Sequence, residues 1–143
     1  MNISSGNVAA RQHGAMEYTN APVDLDKVRR YRLERIREQL REKDYAGALL
    51  FDQVNCRYAC DATNMQVWCS HYETRCVFFV TDGPLILFDY GNYPHLAEGI
   101  PTIDEYRVNS SFYYFTAGSN RDQRADEFGQ VISDLVRQYG GVI

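Results

Sequence analysis

The chain is short of the residues and runs that mark several large protein classes. None of its apolar runs approaches the ~18 residues needed to cross a bilayer, so no membrane association is expected. The polar N-terminus MNISSGNVAARQHGAMEYTN has no continuous apolar stretch of the kind that directs secretion, so a cytoplasmic location is expected. Neither charge sign is in large excess. A net charge of -4, with no basic patch unopposed by acids, excludes the field that draws phosphate backbones, and nucleic acid is not an expected partner. Histidine is scarce at three, no H-E-x-x-H occurs, and no Ser or Cys nucleophile stands in a known motif. Of these, His71 and His95 are the candidate bases or ligands outside the N-terminal arm, and a lone histidine is usually structural. The four cysteines, Cys56, Cys60, Cys69 and Cys76, contain no C-x-x-C pair. Without an export signal they read as free thiols, some buried as small hydrophobes, rather than as a zinc site or a disulfide framework.

Aromatic residues are plentiful. The 143 residues include 11 Tyr and 7 Phe but a single Trp, enough for a self-supporting core with aromatic contact surfaces to spare. Residues 1–22 are polar, small and aperiodic up to Pro22, and they form an expected arm before a domain over residues 23–143. Asp24 or Asp26 caps an expected helix to about Lys43, with Leu25, Val28, Leu33, Ile36 and Leu40 near one face. On its solvated face Glu34 with Arg37 and Glu38 with Arg41 stand at i,i+3 spacing.

The apolar run from Ala46 to Phe51 is too short for a helix and suits a central strand covered on both faces. The segment from Arg75 to Thr81, then Asp82-Gly83-Pro84, then Leu85 to Asp89, predicts a hairpin. Ile103 to Val108 predicts another strand, and the aromatic run Phe112 to Phe115 a strand or sheet edge that doubles as an interface stripe. Arg121 to Tyr139 repeats apolar residues at helical spacing, and Gly140-Gly141 supplies its stop. Val142-Ile143 then reads as the opening of a further strand, so the chain is expected to be cut from a longer one. The predicted fold class is α/β, a mixed β-sheet flanked by helices.

Between the first strand and the hairpin lies the stretch with most chemical interest. A strand followed by Asp52-Gln53-Val54-Asn55-Cys56-Arg57-Tyr58 places a polar loop and short helical turn where α/β proteins keep functional loops. Asn55 most simply caps that turn, and Arg57 is expected to pair with Asp52 or Asp61. Asp89, at a strand end, is read as a turn former with a crevice-facing role as the alternative. Trp68 either lines a pocket, against a proline ring or a cationic group, or covers the edge of the core.

With the preceding helix and Asp44-Tyr45-Ala46-Gly47, the segment containing Asn55, Arg57 and Tyr58 resembles the N-terminal domain of the creatinase, prolidase and aminopeptidase P family. The resemblance implies a ribonuclease H-like architecture and a non-catalytic domain that helps build a homodimer. It further implies a loop lent to the partner subunit's substrate pocket, here with Asp61, Asn64, Trp68 and His71 as candidate substrate-binding residues. The implied divalent metal pair belongs to a C-terminal catalytic domain outside this chain, and no cofactor is expected here. After Tyr58 the family's peptidases commonly continue Leu-Thr-Gly, whereas this chain reads Ala59-Cys60-Asp61-Ala62-Thr63-Asn64-Met65-Gln66-Val67-Trp68. The first reading is the N-terminal domain of a metal-dependent hydrolase of the Xaa-Pro peptidase and creatinase type; the departure resembles the dimethylsulfoniopropionate lyase branch of the same fold, in which acrylate is eliminated, and that branch is the alternative. A stand-alone interaction domain is the third reading.

Overall fold

The structure is a computed structural model that describes residues 22–63, 75–109 and 111–139. Helix α1 (Leu25–Glu42) begins at Asp24, whose side chain accepts from the Lys27 N–H, and Leu33 is its buried anchor. Strand β1 (Gly47–Leu50) and helix α2 (Gln53–Cys60) follow. Strands β2 (Cys76–Val80) and β3 (Leu85–Asp89) form the expected antiparallel hairpin, with Cys76 opposite Phe88 and Phe79 opposite Leu85. Strand β4 (Glu105–Val108) adds parallel to β3, after which come the short helix α3 (Tyr114–Ala117) and the long α4 (Arg121–Tyr139).

The described sheet has the order β1-β2-β3-β4. Every residue of β2 and β3 is buried because helices cover both faces of the sheet. On one face Val77, Phe79, Leu85 and Leu87 pack against Leu33 of α1 and Cys56, Ala59 and Cys60 of α2. On the other, Phe78, Val80, Ile86 and Phe88 meet Phe128 and Leu135 of α4. The alternation of a strand thus feeds two separate cores from one apolar run. The layers are helix, mixed sheet, helix, as the sequence predicts.

Several expectations change. The run from Ala46 to Phe51 is not a central strand: β1 bonds only β2 within the described sheet, and all four of its residues are half-buried. Phe112 to Phe115 is not a strand. Phe112 packs its ring against Phe128 at 5.3 Å and Phe51 at 6.4 Å, and the chain then turns into α3. On α1, in place of the expected i,i+3 pairs, Arg41 bonds Glu34 two turns back in the same helix and Asp82 in the hairpin turn, and Arg37 donates to the Gly83 carbonyl. Of the expected arm over residues 1–22, residues 1–21 lie outside the described residues, as do the Gly140-Gly141 stop and Val142-Ile143. Among the described residues no helix is long and apolar enough to cross a membrane.

Candidate functional site

The segment between α2 and β2 is framed at both ends by charged side chains. Helix α2 starts at Asp52, not Asn55: the Asp52 carboxylate accepts from the Asn55 N–H at 2.9 Å, so Asn55 is the capped residue. The helix ends at Asp61, which adopts the left-handed conformation (φ 61°) and donates its N–H to the Arg57 carbonyl at 2.8 Å. Aspartate tolerates this geometry better than most residues, because its short polar side chain satisfies local donors.

Those donors come from α1. Arg29 Nε donates to Asp61 at 2.9 Å and Arg29 Nη1 to Asp26 at 2.8 Å, while Arg32 stands 3.6 Å from the second Asp61 oxygen. Hydrogen bonds from Asp61 first, then Asp26, raise the Arg29 pKa above its ordinary value. The expected partner Arg57 is exposed and does not take Asp61; α1 supplies the cations instead. Tyr58 lies under the Arg32 guanidinium, 5.7 Å from ring centroid to Cζ, so the Asn55 to Tyr58 motif staples α2 to α1.

At the other end, Arg75 immediately precedes β2 and is only 2% exposed. Its Nε donates to Asp89 at 2.7 Å, Nη2 donates to the same carboxylate oxygen, and Nη1 reaches the Ala62 carbonyl at 3.3 Å. Asp89 is fully buried, and its other oxygen accepts from the Tyr90 N–H at 2.9 Å. Thr102 also donates to the Cys60 carbonyl, so residues 60–62 and Arg75 meet inside the core. Ala62 and Arg75 are thus held together at one neck, closed by a buried ion pair. Asp89 is neither a simple turn former nor a crevice-facing acid; it is the anchor of that neck. The pairing had a signal in the sequence, since a hairpin register that sets Cys76 against Phe88 sets Arg75 against Asp89 one step further.

Of the candidate substrate residues, Asp61 lies at this neck with both oxygens engaged by arginines, whereas Asn64, Trp68 and His71 fall outside the described residues. Cys69 falls outside them as well. His95 is exposed in a 3-10 turn (Pro94–Leu96), edge-on to Tyr93 at 6.2 Å. Cys56, Cys60 and Cys76 are free and buried. Burial pushes the Cys56 thiol up to about 12 and Cys60 to about 11, and it raises Cys76 too, so these thiols stay protonated and unreactive at neutral pH. Among the described residues no three His, Cys, Asp or Glu side chains converge on one point. What this arrangement can do is hold Ala62 and Arg75 together inside the core.

Helix, mixed sheet and helix make this a three-layer α/β domain. The chain is a member of the Creatinase/Prolidase N-terminal domain family, which matches residues 32–139. It is 36% identical over 118 residues to the dimethylsulfoniopropionate lyase DddP of Roseovarius nubinhibens, covering 82% of this chain and 26% of the relative. It is 38% identical over 116 residues to the dimethylsulfoniopropionate lyase DddP of Roseobacter denitrificans, covering 81% of this chain and 26% of the relative. The chain thus spans about a quarter of the length of these curated relatives.

Proposed function

We propose that this chain is the non-catalytic N-terminal domain of a dimeric lyase acting on dimethylsulfoniopropionate, and that it lends the segment from Asp61 to Tyr72 to the partner subunit's substrate pocket. The observation that carries the reading is the shared name of the two relatives, at 36% and 38% identity over four fifths of the chain. The run from Asp61 to Trp68, which departs from the peptidase pattern and resembles the lyase branch, supports it from the sequence side. In this reading the neck built by Arg75, Asp89 and Ala62 holds the base of the segment. Trp68 then offers an indole face to the substrate's sulfonium, an attraction of the cation–π kind.

The test uses the complete gene product. Acrylate release from dimethylsulfoniopropionate is expected, with no cleavage of Xaa-Pro dipeptides. Trp68→Ala is expected to raise KM or lower turnover by about tenfold, the scale of one lost cation–π contact, while leaving the urea midpoint unchanged. Dipeptide cleavage without acrylate release would overturn the substrate. A monomeric active enzyme, or full activity in the Trp68→Ala variant, would overturn the lent segment.

A further inference from the structure

The hairpin turn between β2 and β3 carries the sequence's single Asp–Gly or Asn–Gly step, Asp82-Gly83. A glycine after an aspartate leaves its backbone nitrogen open to attack the aspartate's own side chain, because no Cβ stands in the way. Asp82 is exposed, so water reaches the step freely. Another residue in place of the glycine is costly here: a Cβ on Gly83 would lie 2.9 Å from the Val80 Cβ and 3.3 Å from its Cγ1. The turn therefore keeps a step that is chemically reactive in an unfolded chain.

In the fold that step is held at three points. Gly83 donates its N–H to the Val80 carbonyl at 3.3 Å, which makes Val80 to Gly83 a β-turn with Asp82 at its third position. In the hydrogen-bonded turn types ψ at that position is about 0°. Ring closure needs the Gly83 nitrogen eclipsed with the Asp82 Cβ, a rotation of roughly 120° about the Cα–C bond, and that rotation breaks the turn. Arg41 supplies the second hold: its Nε and Nη2 both donate to Asp82 Oδ1, at 2.9 and 2.8 Å, and tie the side chain to the end of α1. Glu34 in turn fixes Arg41 at 2.7 Å. Arg37, one turn earlier, donates to the Gly83 carbonyl and supplies the third.

We propose that Asp82 is a backbone modification site, converted to isoaspartate when the end of α1 releases the turn, and that Arg41 and Arg37 keep it unmodified in the folded chain. In the first step the Gly83 nitrogen loses its proton and bonds to the Asp82 Cγ, the Cγ–O bond breaks, and that oxygen leaves as water. A five-membered succinimide results. Water then adds at the former main-chain carbonyl carbon of Asp82, whose bond to the nitrogen breaks, leaving a free α-carboxylate and a chain that runs through Cβ and Cγ. The net change is an isomerisation in which nothing is oxidised or reduced. An extra methylene in the backbone at the turn disturbs the pairing of Phe79 with Leu85, between two strands buried at every residue. The new α-carboxylate is the acceptor that isoaspartyl methyltransferases recognise, with S-adenosylmethionine as donor, and an enzyme of that class is the partner the site fits.

The experiment incubates the complete gene product, folded and in urea, beside its Arg41→Met, Arg37→Met and Asp82→Glu variants. Isoaspartate is counted by enzymatic methylation and located by electron-transfer fragmentation of the peptide containing residues 82 and 83. In urea, residue 82 is expected to react fastest among residues 1–143. In the folded parent its rate is expected to be at least about tenfold lower, because reaction waits on a local opening. Arg41→Met should raise the folded rate about threefold, the scale of one exposed ion pair, and Asp82→Glu should abolish the product there because its ring would have six members. Equal rates in the folded parent and in urea would overturn the proposal, as would a faster site elsewhere in residues 1–143 in urea or an Arg41→Met rate no higher than the parent's. Where circular dichroism shows that Arg41→Met does not fold, Arg37→Met carries the same comparison, and the parent's rate in that variant overturns the proposal equally.

Discussion

Replacing either member of the Arg75–Asp89 pair should be among the most damaging single changes in this domain. Arg75 is 2% exposed and Asp89 is fully buried, so neither charge has water to fall back on. Arg75→Met leaves a buried carboxylate holding one backbone N–H, and Asp89→Leu leaves a buried guanidinium holding one carbonyl. Removing one partner of a buried pair costs about 3–5 kcal/mol, mostly from the uncompensated charge left behind. For a domain of this size, with a urea dependence of about 2 kcal/mol per molar, a cost of about 4 kcal/mol moves the unfolding midpoint down by about 2 M. The double variant Arg75→Met/Asp89→Leu removes both charges at once, and it should recover most of the loss because two charges no longer require desolvation. Urea titration followed by far-UV circular dichroism on all four proteins closes the double-mutant cycle. Single variants costing under about 1 kcal/mol, in the range of an exposed surface pair, would refute the claim that the pair anchors the fold.

Two further outcomes rest on the same core. A Cβ on Gly47 would sit 2.5 Å from the Phe79 carbonyl oxygen and 3.2 Å from the Val80 Cα, both backbone atoms that cannot swing aside. Gly47→Ala is expected to cost about 1–3 kcal/mol, as overpacking does, and a midpoint unchanged from the parent would contradict the β1–β2 register. Stability should also fall above about pH 9: the unfolded thiols of Cys56 and Cys60 ionise near 9.0, while the folded ones hold their protons to about 12 and about 11. Over that window the folded state binds more protons, so unfolding becomes easier by about 1.4 kcal/mol per pH unit per thiol. Below the window their contribution is complete. Cys60→Ala should make the alkaline decline shallower, and an identical slope would count against burial as the cause.

The elements legible in the sequence are those in which local chemistry and tertiary packing agree. Asp24 caps α1 and the apolar residues of α4 repeat at 3.6, so both helices appear as expected. The β2–β3 hairpin follows from two apolar pentads around Asp82-Gly83-Pro84. Where neighbours decide, the sequence is ambiguous. Leu49 and Leu50 face opposite cores, so β1 is apolar throughout even though only one of its edges is paired. Phe112 has the β-propensity of a strand residue, but the rings of Phe128 and Phe51 claim it and the chain turns there. Asp52 and Asn55 are equally good caps in isolation, and the choice falls to Asp52 because β1 ends at Leu50. The family was readable from the order of elements and the residues Asn55, Arg57 and Tyr58, while Arg29, which binds Asp61, stands 32 residues away in the chain and left no local mark.

The neck geometry also separates two roles that a single stability measurement would merge. Arg75 contacts Asp89, which belongs to the sheet, and Ala62, which belongs to the base of the segment over residues 63–74. If the pair serves only the fold, the double variant that restores stability also restores the activity of the complete enzyme, because nothing else depends on the guanidinium. If it also positions the segment, stability returns but KM stays raised, since the Arg75 Nη1 bond to the Ala62 carbonyl is still missing. Methionine can fill the space of the arginine stem without supplying that donor. Arg75→Lys/Asp89→Glu keeps a cation and an anion in place but loses the planar fork that reaches two acceptors at once. The lent-segment reading therefore expects the Met/Leu double variant to be stable with KM several-fold above the parent, by the loss of one positioning contact. A stable double variant with the parent's KM and turnover would confine Arg75 and Asp89 to the core and leave the presentation of Trp68 to Asp61, Arg29 and Arg32 alone.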